Sequence, residues 1–396
     1  MELKRSLGFV SLTLYGVGVT LGAGIYVLIG ETAATAGSLA PLSFLIALIA
    51  ALLSGLSYAE LSGRYPASAG EAVYVQEAFG KPWLSQVVGA AVTFTGLFSS
   101  ATVLQGFSGY AIALLPVPAW ILILVAAAVL TGLALWGVKE SVWAAAAVTV
   151  FEAGGLIVII VLAAPKAIED PVAFMPVSNP ALGVMAGAAI AFFAFIGFED
   201  IVNMSEETKE PSRNVPRAIL ATMIITGVIY MAIAWVAVAA VLPGDLAEAS
   251  DPMAEILRQT GHPGDEAISI IAIVAILNGA LINMLMASRV LYGMAKKGLA
   301  PAVLATVNSA RKTPHVATLL VTAFVLTLAL LVPLSGLARM TSFLTLCVFL
   351  LINLSLIILR RKHEALFDVP IFKAPLWTPY LGIVTAGLLA ISALAG

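Results

Sequence analysis

The sequence predicts an all-α integral membrane protein of about eleven spanning helices, the first and the sixth broken near their centres. Three observations predict this class. Hydrophobic residues make up 61% of the chain and charged residues 11%, against about 25% charged in soluble domains. The apolar residues come in runs of about 20 or more with few charges, long enough to cross a hydrocarbon core. Within a bilayer each crossing must satisfy its own backbone, so these runs are helices.

Run length and breakers place the spans at 7–36, 39–63, 83–113, 117–137, 141–164, 181–206, 216–243, 266–296, 316–333, 338–359 and 376–395. The charges of Met1 to Arg5 are those of a signal peptide. The apolar stretch behind them is too long for a signal core and is interrupted by glycines, so it reads as a retained first span. The first, third and eighth spans exceed what a bilayer needs, which implies tilt, a break or extension beyond the membrane. Between the second and third, Pro66 to Lys81 reads as a short amphipathic helix at the interface. The loop carrying Asp245, Glu248, Asp251 and Glu255 reads as an acidic external connection. The whole chain, 1–396, reads as one transmembrane domain.

Basic residues orient these spans. With the N-terminus in the cytoplasm, only Lys166, Arg258 and Arg339 of the 20 lysines and arginines fall outside. So uneven a split supports a cell-membrane protein with its N-terminus inside. The odd span count then puts the C-terminus outside. There is no basic tract for nucleic acid, and nothing calls for a cofactor or an obligate protein partner. The single cysteine, Cys347, excludes an internal disulfide and reads as a small core residue.

Two spans are interrupted in a special way. The first carries Gly16, Gly18, Gly22, Gly24 and Gly30, with Gly22-Ala23-Gly24-Ile25 near its centre. The sixth carries Phe192-Phe193-Ala194-Phe195-Ile196-Gly197-Phe198-Glu199-Asp200. The two lie five spans apart, where inverted halves of five spans would place equivalent breaks. Unwinding a helix frees N–H groups on one side and C=O groups on the other. The freed N–H end suits an anion and the freed carbonyls suit an ammonium or a metal cation. Two such breaks side by side suit a zwitterion such as an α-amino acid. The glycines of the first span alone are equally compatible with close helix packing; the matching sixth-span break, with acids inside it, is the argument for a site.

Ionisable groups at bilayer depth are costly and point to function. Glu152 lies at the middle of the fifth span, and Glu199 and Asp200 lie at the sixth-span break. Glu152 reads as a group that takes and releases a proton in each cycle, or as a permanently protonated acid bonded to a neighbouring helix. Asp200 reads as a helix cap or as solvated in an inner vestibule. Glu31, Glu60, Arg289 and Arg339 lie near span ends, where snorkelling accounts for them. A membrane enzyme needs an activated nucleophile or a metal. His262, His315 and His363 lie in loops on both sides of the membrane and do not converge with Cys347, and no metal-ligand spacing is present. No repeated filter sequence supports a channel.

Five motifs in order resemble the amino acid–polyamine–organocation (APC) superfamily of permeases, over nearly the whole chain. They are Leu3-Lys4-Arg5-Ser6-Leu7-Gly8 with Gly22-Ala23-Gly24-Ile25-Tyr26; Ser57-Tyr58-Ala59-Glu60-Leu61, then Arg64-Tyr65-Pro66 and Gly70-Glu71-Ala72-Val73-Tyr74-Val75; Phe195-Ile196-Gly197-Phe198-Glu199; Glu206 to Ile219; and Ala287 to Ala295 with Gly298-Leu299-Ala300-Pro301. The resemblance implies a five-plus-five inverted-repeat (LeuT-like) transporter fold. Residues 1–164 would form the first repeat, 181–359 the second and 376–395 an extra helix; many members carry a twelfth. It implies an amino acid held at the breaks. The carboxylate would meet N–H groups around Gly22, Ala23, Gly24 and Ile25. The ammonium would meet carbonyls near Phe195, Ile196 and Gly197, with Phe192, Phe195, Phe198 and Glu199 around the side chain. It also implies secondary active transport by alternating access, as proton-coupled symport, with exchange or sodium coupling as the alternatives. Some proton-coupled relatives place a lysine in the fifth helix against the first break; Glu152 stands at that place here.

Overall fold

A computed structural model describes residues 7–22, 24–66, 70–136, 142–296, 300–308, 313–362 and 372–395. Ala23 lies outside the described residues, as do Lys4, Arg5, Lys139, Lys297, Arg311, Lys312 and His363. The described chain is helical, as the composition requires. In order the helices are α1 (Phe9–Leu21), α2 (Gly24–Ala36), α3 (Ala40–Arg64), α4 (Gly70–Phe79), α5 (Pro82–Leu114), α6 (Ala119–Trp136), α7 (Val142–Glu169) and α8 (Pro180–Ala191). They continue with α9 (Pro211–Ala240), α10 (Pro243–Glu248), α11 (Pro252–Gln259), α12 (Asp265–Lys296), α13 (His315–Leu331), α14 (Leu334–Lys362) and α15 (Thr378–Ala395). Two 3-10 segments, Phe192–Phe195 and Phe198–Glu207, follow α8.

These elements reproduce the expected spans. The first is α1 plus α2, and the sixth is α8 plus its two 3-10 segments. α5 and α12 are the long ones, at 33 and 32 residues. The interface helix is α4, shorter than the stretch read from sequence. α9 begins at Pro211 rather than at 216, because proline at the first helical position loses no hydrogen bond. The acidic connection is not plain loop: it contains α10 and α11, each opened by a proline.

Outward faces are apolar, as hydrocarbon demands. Val125 and Val129 of α6, Phe151 and Val161 of α7, and Leu388 and Ile391 of α15 are all exposed. The exposed tryptophans Trp83, Trp120, Trp136 and Trp377 stand at or beside helix ends, the positions of an interfacial aromatic belt. The interior is close-packed and rich in hydroxyls that donate to the carbonyl one turn earlier, such as Thr32 to Leu28 at 2.8 Å.

Within the bundle, α1 and α2 are surrounded. α1 packs on α7 and α9, α2 packs on α8, and α3 runs along α9. α5 runs along α12, and α14 along α15. Leu7 pairs with the chain beyond the sixth span: its N–H donates to Glu207 (3.0 Å) and its C=O accepts from Lys209 (2.8 Å).

One end of the bundle is held by a buried ion cluster. Glu60, at the end of α3, is fully buried rather than snorkelling. Its carboxylate accepts from Arg64 at 2.9 Å, from Arg360 Nε at 3.1 Å and from the Ala374 N–H at 2.7 Å. Both carboxylate oxygens are therefore answered, and α3, α14 and the approach to α15 are tied together. A turn or two inward, Asn353 repeats the tie by accepting from Ser57 (2.7 Å) and donating to Ser54 (3.0 Å).

Replacing Glu60 by Gln leaves buried guanidinium groups without a counter-charge, which costs about 3–5 kcal/mol. Thermal unfolding in detergent should show a clear loss of stability for Glu60→Gln. Adding Arg360→Met should recover part of it. Equal stability of Glu60→Gln and the parent would mean that the cluster holds nothing together.

Candidate functional site

Each break is built by glycine. α1 ends where the Gly22 N–H closes the last turn on the Gly18 carbonyl at 3.0 Å, and α2 restarts at Gly24. In the sixth span the 3-10 segment after α8 stops at Ile196, which is extended (φ −69°, ψ 136°). Gly197 then turns with φ +124°, a conformation that side-chain-bearing residues rarely adopt. The Gly197 N–H donates to the Glu199 carboxylate at 2.8 Å, so this acid caps its own break.

The breaks face each other. A Cβ on Gly24 would collide with the backbone of Ala194, and one on Gly197 would lie 2.9 Å from Val19 Cγ1. Each glycine admits the other broken helix. Tyr230 of α9 joins them: its hydroxyl reaches the Thr20 carbonyl at 2.6 Å and the Ala194 carbonyl at 3.0 Å. Carbonyls freed by both breaks thus share one buried donor.

Two adjoining cavities lie against this junction. One, of about 50 Å3, is lined by Thr20, Gly24, Phe193, Ile196, Gly197 and Asp200, closed by Ser99 and Val103 of α5 and by Asn278, Gly279 and Asn283 of α12. The other, of about 70 Å3, is lined by Tyr58, Glu71, Glu199, Asp200, Asn203 and Asn283, with Val92, Met286 and Phe349. Ile196, Asp200 and Asn283 belong to both.

Of the residues expected from sequence, Gly24, Ile196, Gly197 and Glu199 therefore line these cavities. Gly22 and Ile25 flank the first break without lining them. Phe195 and Phe198 are buried one layer behind the cavity walls: Phe195 packs edge-on to Tyr230 (5.0 Å between centroids), and Phe198 packs on Tyr58 (5.7 Å) and Phe349 (5.4 Å), which line the second cavity. Phe192 also packs on Phe349. The aromatic wall at the break is Phe193. Asp200, read from sequence as a cap or as solvated, borders both cavities.

Glu152 sits behind the first break, on α7. It is 1% exposed, and neither carboxyl oxygen has a hydrogen-bond partner. Its backbone carbonyl accepts from the Tyr26 hydroxyl at 2.8 Å, and the Tyr26 carbonyl accepts from Tyr110 at 2.8 Å. A carboxyl so placed needs a proton or a cation to be stable. On α4, outside the spanning helices, Glu71 has its pKa pushed up to about 7, first by burial and then by the charge of Asp200.

Sequence reasoning passed over Tyr230, Glu71, Asn278 and Asn283. The two asparagines carried a usable signal, since a polar amide inside an apolar span needs an explanation as much as Glu152 does. Tyr230 carried none, because tyrosine is common in spans.

Paired broken helices within a bundle of apolar spanning helices are the architecture of a multi-pass membrane transporter. The chain matches the amino acid permease family over residues 7–395 and belongs to that family. It is 29% identical to the branched-chain amino acid permease BcaP of Bacillus subtilis, over 94% of this chain and 84% of that one. It is 29% identical to the methylthioribose transporter of the same organism, over 98% and 87%. It is 31% identical to the mitochondrial cationic amino acid transporter 3 of Arabidopsis thaliana, over 91% and 63%. The chain is a transporter and not an enzyme.

Two outcomes follow. Tyr230→Phe leaves two buried carbonyls without their donor, a loss of about 1–3 kcal/mol. It should lower the melting temperature in detergent and weaken stabilisation by added substrate; an unchanged melting curve would remove Tyr230 from the junction. The second concerns pH. Because the folded protein holds the Glu71 proton up to about pH 7, whereas the ordinary value is 4.5, stability from this group is complete below pH 4.5 and is lost as pH rises toward 7. Glu71→Gln lacks that loss. Its stability relative to the parent should rise between pH 5 and pH 8 by up to roughly 3 kcal/mol, as read from paired thermal unfolding curves. A constant difference across that range would contradict it.

Proposed function

We propose that the chain carries amino acids across the cell membrane by alternating access, with the substrate backbone held at the paired breaks and transport coupled to protons. The observation that carries the reading is the facing of two mid-span helix breaks across one cavity, in a chain of the amino acid permease family. The N–H groups opening α2 suit the α-carboxylate. The carbonyls around Ile196 suit the α-ammonium. Residues 1–164 and 181–359 act as two inverted repeats, with α15 added outside them. The positive-inside count supports a cytoplasmic N-terminus, with the Glu60 cluster at the cytoplasmic end and α10 and α11 outside.

Glu152 is the proton carrier in this reading. Its bare oxygens and its backbone contact with Tyr26 of α2 support that role. Protonated, it is compatible with its apolar site. Ionised, it destabilises the packing of α7 on the first broken span and shifts the population between two states.

The test is uptake into proteoliposomes under an imposed pH gradient, with and without sodium. Glu152→Gln mimics the protonated group, so it should bind substrate while losing the pH dependence of net uptake. Uptake that follows sodium, or a variant that keeps the full pH response, would end the assignment of Glu152.

A further inference from the structure

We infer that the carried amino acid has a positively charged side chain, whose ammonium or guanidinium head is received by Glu71, Glu199 and Asp200. This rests on the reading that the paired breaks hold the substrate's backbone groups. Four observations lead to it.

Three carboxylates from two separate elements line one cavity. Among the described residues none of them is in an ion pair with a lysine, arginine or histidine. Like charges so close resist being ionised together, and a cation between them relieves the repulsion.

The Tyr58 hydroxyl borders the same cavity. The residue is fully buried, with the Glu71 carboxyl as the neighbour its O–H donates to. It stands within electrostatic reach of all three carboxylates. With its hydrogen directed to Glu71, the hydroxyl oxygen still has lone pairs to accept from a cationic head.

The acidic cavity adjoins the cavity at the breaks, sharing Asp200 with it, so a side chain leaving the breaks enters it directly. Val92 and Met286 on its wall suit a methylene stem, with the acids left for the head. Lastly, among the described residues no three acids, histidines or cysteines converge as metal ligands do. Without such a convergence, an extended organic cation fits the cavity better than a metal ion.

The experiment compares charged amino acids with neutral ones of the same shape, on the purified full chain. L-arginine is set against L-citrulline and L-lysine against L-norleucine, reading ligand-induced thermal stabilisation and competition for uptake in proteoliposomes. The charged member of each pair should act at concentrations at least about tenfold lower, the scale of a charge-assisted hydrogen bond. Glu71→Gln and Asp200→Asn should each narrow that ratio, and the parent comparison stands if neither variant folds. Neutral members acting as well as charged ones would overturn this inference and leave the amino acid reading intact. Stabilisation by sodium or calcium chloride alone, lost in Glu71→Gln, would give the cavity to an inorganic cation and also overturn it. If no amino acid of either kind acts, both readings fall.

Discussion

The structure depends on one constraint: backbone groups released inside a hydrocarbon layer must find partners within the protein. A single broken helix at mid-membrane would expose several unpaired carbonyls and N–H groups, each costly. Two breaks set against each other reduce that cost, provided that the backbones approach closely. Gly24 against Ala194 and Gly197 against Val19 give that approach, and the Tyr230 hydroxyl answers a carbonyl from each side. The surrounding helices follow from this. α3, α7 and α9 close around the junction, and the residues at its two breaks, Leu21, Gly22, Gly24 and Ile25 on one side and Phe192 to Phe195 and Phe198 on the other, are buried.

Polar ties at the two ends of the bundle frame that junction differently. At one end Glu60 joins α3 to Arg360 of α14 and to the Ala374 N–H before α15, so these helices move as a group or break a buried ion cluster. At the other end Asp251 is buried against Arg258 and accepts from Ser269 at 3.3 Å, fixing α11 to the start of α12. α10 lies on α2, where a Cβ on Gly30 would come within 2.6 Å of the Leu246 carbonyl. Tyr110 adds a link, since its hydroxyl donates to Tyr26 of α2 and accepts from the Met253 N–H of α11. α2 and the cap formed by α10 and α11 are thus tied by direct contacts.

Much of this was legible in the sequence, for a physical reason. A spanning helix announces itself by length and apolarity, so each expected span corresponds to helix in the structure. The breaks were legible because glycine and acids are expensive in mid-span. Azimuth was not legible. Sequence position gives depth along a helix, but the direction a side chain takes depends on its neighbours. Thus the rings of Phe195 and Phe198, expected around the substrate, pack on Tyr230, Tyr58 and Phe349, while Phe193 lines the cavity at the breaks. Glu60 looked free to snorkel, because Arg360 lies 300 positions along the chain. Glu71 became visible as a cavity residue only once α4 folded back beneath the sixth span. α10 and α11 escaped notice because six and eight residues in a polar connection are too short for periodicity to declare.

The acids near the breaks divide by what they touch, and that division bears on how the proposed cycle would run. Glu199 and Asp200 border the cavities, so their charge acts on whatever occupies them. Glu152 borders neither; its own backbone carbonyl accepts from the Tyr26 side chain of α2. In the proposed cycle a proton on Glu152 would therefore act on helix geometry and not on cargo. Recognition and coupling would then rest on different carboxyls joined through the broken first span. Because α2 contacts α8 and the cap as well, the proposed change at Glu152 would have a packed route to the second break and the outer end that bypasses the substrate. Coupling of this kind needs two arrangements of the first span, each with its backbone satisfied, and the shared Tyr230 hydroxyl can serve only one carbonyl at full strength at a time.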